Sequence, residues 1–132
     1  MLDRMFSDPA SFQQLTRAVS GKLATLRSDQ PEVMKGFGDL SRAAMADGAL
    51  STKTKELMAL ALGVAAHCDP CIGFHMKALV RLGVTRLEVE ETLAVAIYMG
   101  GGPSLMYSAN ALAAFDELSP PASQVSKLAA ST

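Results

Sequence analysis

The chain predicts an all-α protein of about six helices, and three observations carry that reading. Apolar residues recur at spacings of three and four along nearly the whole length, the period of one helix face. Residues that start and stop helices punctuate this pattern at helix-length intervals. No segment shows the strict alternation of a half-buried strand, and no repeat of fixed period is present.

The elements follow in order. Residues 9–27 place Phe12, Leu15, Val19, Leu23 and Leu26 on one stripe. Asp29-Gln30-Pro31 breaks the chain, and Pro31 suits the first turn of a second helix. That helix carries Val33, Met34, Phe37, Leu40 and Ala44 and stops near Asp47-Gly48. Ser51 or Thr52 caps a third helix over roughly 53–67. A fourth begins at Asp69-Pro70, with Asp69 as the expected cap and Pro70 as the first residue, and runs to Gly83. Thr85 with Glu88 three residues on makes a capping box for a fifth helix over about 86–99. Gly100-Gly101-Gly102 reads as a helix-to-helix turn. No strand precedes it and no Lys-Ser/Thr follows, so nucleotide binding is not expected. Pro103 opens a sixth helix to about Leu118, and Ser119-Pro120-Pro121 ends it.

Composition bounds the function. The 132 residues suffice for one domain with a real core. Apolar residues make up 49% and charged residues 19%, with a formal net charge of -1. This balance gives no electrostatic reason to expect nucleic acid or a membrane surface as partner. The longest apolar run, 57–66, is too short to span a bilayer. Charges interrupt the first eight residues, so no signal peptide is expected and a cytoplasmic location is. Two segments, 57–66 and 93–99, are apolar on every side and call for burial all round. One short chain has few layers in which to hide two such helices, so a homo-oligomer is expected.

The chemistry concentrates at Cys68-Asp69-Pro70-Cys71, which holds both cysteines of the chain. Three residues apart at a helix start, they are close enough to form a disulfide after modest adjustment. The positive end of the helix dipole and its free N–H groups favour thiolate. His75, four residues beyond Cys71, faces the same way and can take a thiol proton. That makes Cys71 the better candidate nucleophile and Cys68 its resolving partner. Cys68, Cys71 and His75, with His67 adjacent, are also zinc-ligand types. Structural zinc sites draw on two separated ligand pairs, however, so neither a metal nor another cofactor is expected. A thioredoxin-type fold would need a strand before the pair, and none is seen.

Glu56 sits just before the longest apolar run. A carboxylate there suits the helix dipole, and it could also orient His75. A plain antiparallel hairpin would leave the two offset, Glu56 about 16 Å from the helix end and His75 about 9 Å into the next helix. A crossing angle or a long connection must therefore close the gap.

Glu56, then Cys68-x-x-Cys71, then His75 resembles the Glu-x11-Cys-x-x-Cys-x3-His signature of the AhpD-like alkylhydroperoxidases, within the carboxymuconolactone decarboxylase superfamily. The match runs from Glu56-Leu57-Met58-Ala59-Leu60 through Cys71-Ile72-Gly73-Phe74-His75 to Met99-Gly100-Gly101-Gly102-Pro103. The resemblance implies an all-helical fold assembled as trimers or hexamers, and thiol-dependent reduction of hydroperoxides with an external dithiol as reductant. Carried over residue by residue, Cys71 is peroxidatic, Cys68 is resolving, and Glu56 and His75 form a proton relay. One position departs: where some members have a His before the second cysteine, this chain has Pro70. The decarboxylase branch lacks the cysteine pair, which argues against lactone decarboxylation. The expected organisation is a single AhpD-like helical domain over 1–118, its motif-bearing part 50–118, and a flexible tail over 119–132. The alternatives are a non-peroxidase disulfide oxidoreductase or redox-sensing oligomeric module, and a metal-binding protein.

Overall fold

The computed structural model describes residues 11–121, which form six α-helices and no strand. They are α1 (Phe12–Asp29), α2 (Pro31–Met45), α3 (Thr52–Ala65), α4 (Asp69–Arg81), α5 (Arg86–Gly100) and α6 (Gly102–Leu118). No helix among the described residues is long and apolar enough to cross a membrane. Of the tail expected over 119–132, residues 122–132 lie outside the described residues, and Ser119 is buried with its amide donating to the Phe115 carbonyl at 2.9 Å.

The ends of the helices show why the sequence divides where it does. Ser51 caps α3, its hydroxyl accepting from the Thr54 amide at 3.1 Å. Thr85 and Glu88 form the expected capping box on α5. The Glu88 carboxyl is held below its ordinary range, first by Lys53 at 2.8 Å and then by the Thr85 amide. α1 has no local side-chain cap. Its first amides, Phe12 and Gln13, instead donate to the two carboxylate oxygens of Glu117 on α6, each at 2.8 Å. A carboxylate suits the positive end of a helix wherever in the chain it comes from.

The core is built mainly by α3, α4, α5 and α6, with α1 laid against α4 and α6. Leu60 and Val64 of α3 meet Ile72, Met76 and Leu79 of α4, Val89 and Leu93 of α5, and Ala111, Ala114 and Phe115 of α6. α1 adds Phe12 and, unanticipated from the apolar stripe, a fully buried Thr16 whose hydroxyl donates back to the Phe12 carbonyl at 2.8 Å. Thr16 packs on α4 at Gly73. A Cβ on Gly73 would lie 2.7 Å from the Thr16 methyl and 3.1 Å from the Phe12 ring.

The two apolar segments are not buried all round within one chain. α3 turns Glu56, Leu60, Gly63 and Val64 inward but leaves Met58 and Leu62 exposed. α5 buries Val89, Leu93 and Ala96 and exposes Val95, Tyr98 and Met99. α2 buries no residue at all, and its Val33, Phe37 and Leu40 face outward.

The glycine triplet is a turn with two distinct demands. Gly101 has φ 73° and ψ -152°, a region open to glycine and strained for other residues. Gly100 lies so close to Ser104 that a Cβ would collide with its hydroxyl. Gly101→Ala and Gly73→Ala should therefore each lower stability by about 1–3 kcal/mol, the first through backbone strain and the second through overpacking. Thermal or urea unfolding of the variants against Gly21→Ala, whose Cβ meets nothing, checks both.

Candidate functional site

The site begins with the way α3 ends. After Ala65 the chain makes a Schellman turn: the Cys68 amide donates to the Gly63 carbonyl at 3.0 Å and the His67 amide to the Val64 carbonyl at 3.1 Å. His67 takes the left-handed position of that turn, with φ 57°. The turn makes Cys68 both the last residue tied to α3 and the residue that caps the next helix.

The structure corrects the expected start of α4. Cys68, not Asp69, is the N-cap, and its sulfur accepts from the Cys71 amide at 3.2 Å. Asp69 and Pro70 are the first two helical residues. Asp69 is engaged elsewhere, its carboxylate accepting from the Asn110 side chain at 3.0 Å. Cys68 and Cys71 are joined in a disulfide, with their Cα atoms 5.2 Å apart. Both are half-buried, as are Asp69 and Pro70 between them.

α4 reaches this position because Gly63 lets it. A Cβ at Gly63 would stand 3.3 Å from Cys71 Cβ and 3.7 Å from the Ile72 amide nitrogen. The glycine within the apolar run is thus the point where α3 and α4 press together, directly behind the second cysteine.

The same crossing joins Glu56 and His75. His75 Nδ1 lies 2.7 Å from Glu56 Oε2. Glu56 falls on the core stripe of α3, in register with Leu60, Gly63 and Val64, and is 9% exposed. A carboxylate so placed needs a partner. With Nδ1–H donating to Glu56, the tautomer leaves Nε2 as the basic nitrogen. His75 lies one turn from Cys71 on the same helix face and keeps about a third of its side chain open, 34%. The offset expected of a plain hairpin is closed by the crossing at Gly63 and the length of the two side chains.

His67, weighed as a fourth metal ligand, is turned elsewhere: its ring stacks on Tyr107 of α6, centroids 4.8 Å apart and planes 13° from parallel. Among the described residues no group of three or more His, Cys, Asp and Glu stands where it could hold a metal ion. Tyr107 and Asn110 escaped the sequence reading. Their only signal was the spacing of three that puts both on one face of the sixth helix.

The comparisons with known proteins agree with this fold. The model of the carboxymuconolactone decarboxylase family matches residues 31–114. An uncharacterized protein of Cupriavidus necator is 42% identical over 100 residues, covering 76% of this chain and 88% of its own. Among solved structures, a carboxymuconolactone decarboxylase family protein of Legionella pneumophila, crystallised in its apo form, superposes with a TM-score of 0.82 at 55% identity. The match covers 83% of this chain and 98% of that one. A family protein of Thermotoga maritima, for which a part in an antioxidative response has been suggested, matches with a TM-score of 0.71 at 30% identity, over 78% and 88% of the two chains. With its matched region spanning α2 to α5 and most of α6 and its fold shared with both solved structures, this chain belongs to the carboxymuconolactone decarboxylase family.

Proposed function

We propose that the protein is a thiol-dependent hydroperoxide reductase of the alkylhydroperoxidase type, working through a Cys68–Cys71 disulfide cycle. The observation that carries the reading is a half-buried cysteine pair on a helix N-terminus with the His75–Glu56 pair one turn behind it. The antioxidative role suggested for the Thermotoga maritima relative points the same way.

The cycle starts from the dithiol. His75 Nε2, its ring set by Glu56, takes the Cys71 proton and leaves a thiolate. The thiolate attacks the terminal oxygen of a hydroperoxide and the O–O bond breaks. The oxygen stays on sulfur as a sulfenic acid. The departing alkoxide takes the proton from His75 and leaves as an alcohol. Cys68 then attacks the sulfenic sulfur, the S–S bond forms and water departs. The Cys71 amide aimed at the Cys68 sulfur stabilises a thiolate there, which suits the attacking group of this second step. An external dithiol restores the pair by exchange through a mixed disulfide and is itself oxidised. No cofactor enters the cycle.

We further propose that the chain works as a homo-oligomer, with a second copy covering the outward faces of α2 and of the α5–α6 end. Phe37 is 68% exposed and Tyr98 85%, values out of keeping with a free surface when Val33, Leu40, Met99 and Met106 lie open as well. Between α5 and α6 a shallow groove of about 340 Å³, lined by Leu93, Ile97, Leu105 and Leu112, adds to this surface. The buried Ser108 hydroxyl also lines it and has no hydrogen-bond partner among the described residues.

Titrated after reduction and removal of reductant, the protein should show two free thiols per chain, falling to none on addition of an alkyl hydroperoxide. Cys71→Ser should abolish turnover with a dithiol donor. Thiols that stay reduced under excess peroxide overturn the peroxidase reading. Thiols that ignore peroxide yet exchange with a disulfide point instead to a general disulfide oxidoreductase.

Glu56→Gln keeps an oxygen to accept from His75 Nδ1 but removes the charge that supports the imidazolium. The rate of peroxide-driven thiol loss should fall by about 10- to 100-fold with little change in unfolding midpoint. An unchanged rate across pH 6–8 removes Glu56 from the relay.

Light scattering at low micromolar concentration should report a multiple of the chain mass, and Phe37→Glu should reduce that mass. A monodisperse wild-type monomer refutes assembly.

A further inference from the structure

The connection that carries Cys68 is held from outside by a single face of α6. His67 is the one non-glycine residue with positive φ among those described. It fills the position that Gly83 fills in the matching turn at the end of α4, where the Val84 amide donates to the Leu79 carbonyl. A side chain in that region is strained where glycine is not, so the ring has a use that the turn itself does not require. The ring lies flat on Tyr107. One turn further along the same face, Asn110 donates to the Asp69 carboxylate at 3.0 Å. The residues on both sides of Cys68 are therefore fixed to α6, one by stacking and one by a hydrogen bond. Neither contact takes part in the His75–Glu56 pair.

We propose that Tyr107 and Asn110 are positioning residues that hold Cys68 where its sulfur meets Cys71, and so set the thiol–disulfide equilibrium of the pair. The inference rests on reading the pair as a redox couple. In the dithiol, a loose connection would spread the Cys68 sulfur over many positions, and closing the disulfide would cost that freedom. A connection already fixed at both neighbours loses less on closure. The clamp thus raises the effective concentration of one thiol at the other and favours the disulfide. Exchange with glutathione measures this directly. One glutathione thiolate attacks a sulfur of the pair, forming a mixed disulfide and releasing the other cysteine as a thiolate that takes up a proton. A second glutathione attacks the mixed disulfide, giving oxidised glutathione and the second free thiol.

The experiment equilibrates the full chain in glutathione buffers of graded ratio, traps the thiols with acid and an alkylating agent, and counts free thiols per chain by mass. Tyr107→Leu and Asn110→Ala should each shift the equilibrium about three- to tenfold toward the dithiol, tenfold being about 30 mV for this two-electron couple. Tyr107→Phe keeps the stacking ring and should titrate with the wild type. His67→Gly keeps the turn and removes the ring, so it should shift as Tyr107→Leu does even if that variant folds poorly. Wild-type exchange with His67→Gly and Asn110→Ala unshifted overturns the clamp while leaving the redox reading intact. A wild-type pair inert to glutathione at every ratio overturns the redox reading and the clamp with it.

Discussion

The close approach of α3 and α4 at Gly63 is the constraint on which the rest of this molecule depends. With no side chain at that position, Cys71 and the first turn of α4 sit directly on α3. Everything at the site follows from that distance. The Schellman turn can then deliver Cys68 as cap, the disulfide can close over one helical turn, and Glu56 and His75 meet although they lie 19 residues apart. A Cβ at this position would stand 3.3 Å from Cys71 Cβ, so any side chain there presses on the start of α4. The Glu56–His75 contact is thus a packing result before it is an electrostatic one.

The carboxylate of Glu56 gives this packing its chemical direction. It occupies a place on α3 that the helix period assigns to a core residue. Placed there, it cannot turn to water, and His75 is what answers it. Each therefore fixes the other: the carboxylate sets the tautomer of the imidazole, and the imidazole satisfies a charge the core would not otherwise hold. Cys71, reached along one face of α4, stands at the wet end of this arrangement.

Most of the helical framework was legible because its signals are local. Pro31, Ser51, the Thr85–Glu88 box and Gly101 act within one turn, so the six elements and their approximate ends could be read off directly. The candidate site was legible as a spacing, and Glu56 as a carboxylate that could orient His75, although no spacing along the chain brings the two together. The errors have physical reasons too. Asp69 is the better cap by preference, yet Asn110 engages it and the preceding turn makes Cys68 the cap. The helices that looked wholly buried are half so, because periodicity reports that a face is apolar and not which molecule covers it. Thr16, Tyr107 and Asn110 act across the fold, and no pattern along the chain announces such contacts.

The cap on α1 has a kinetic side. The amides of Phe12 and Gln13 are satisfied by Glu117, more than a hundred residues later in the chain. A ribosome that has released α1 has yet to make the group that completes it. Until then the first turn of α1 lacks its carboxylate cap and is open to fraying. A closure across so long a stretch of chain is slow relative to the local helices it joins. A chain that stopped before Glu117 would leave the Phe12 and Gln13 amides without that cap, so the start of α1 and the end of α6 stabilise each other.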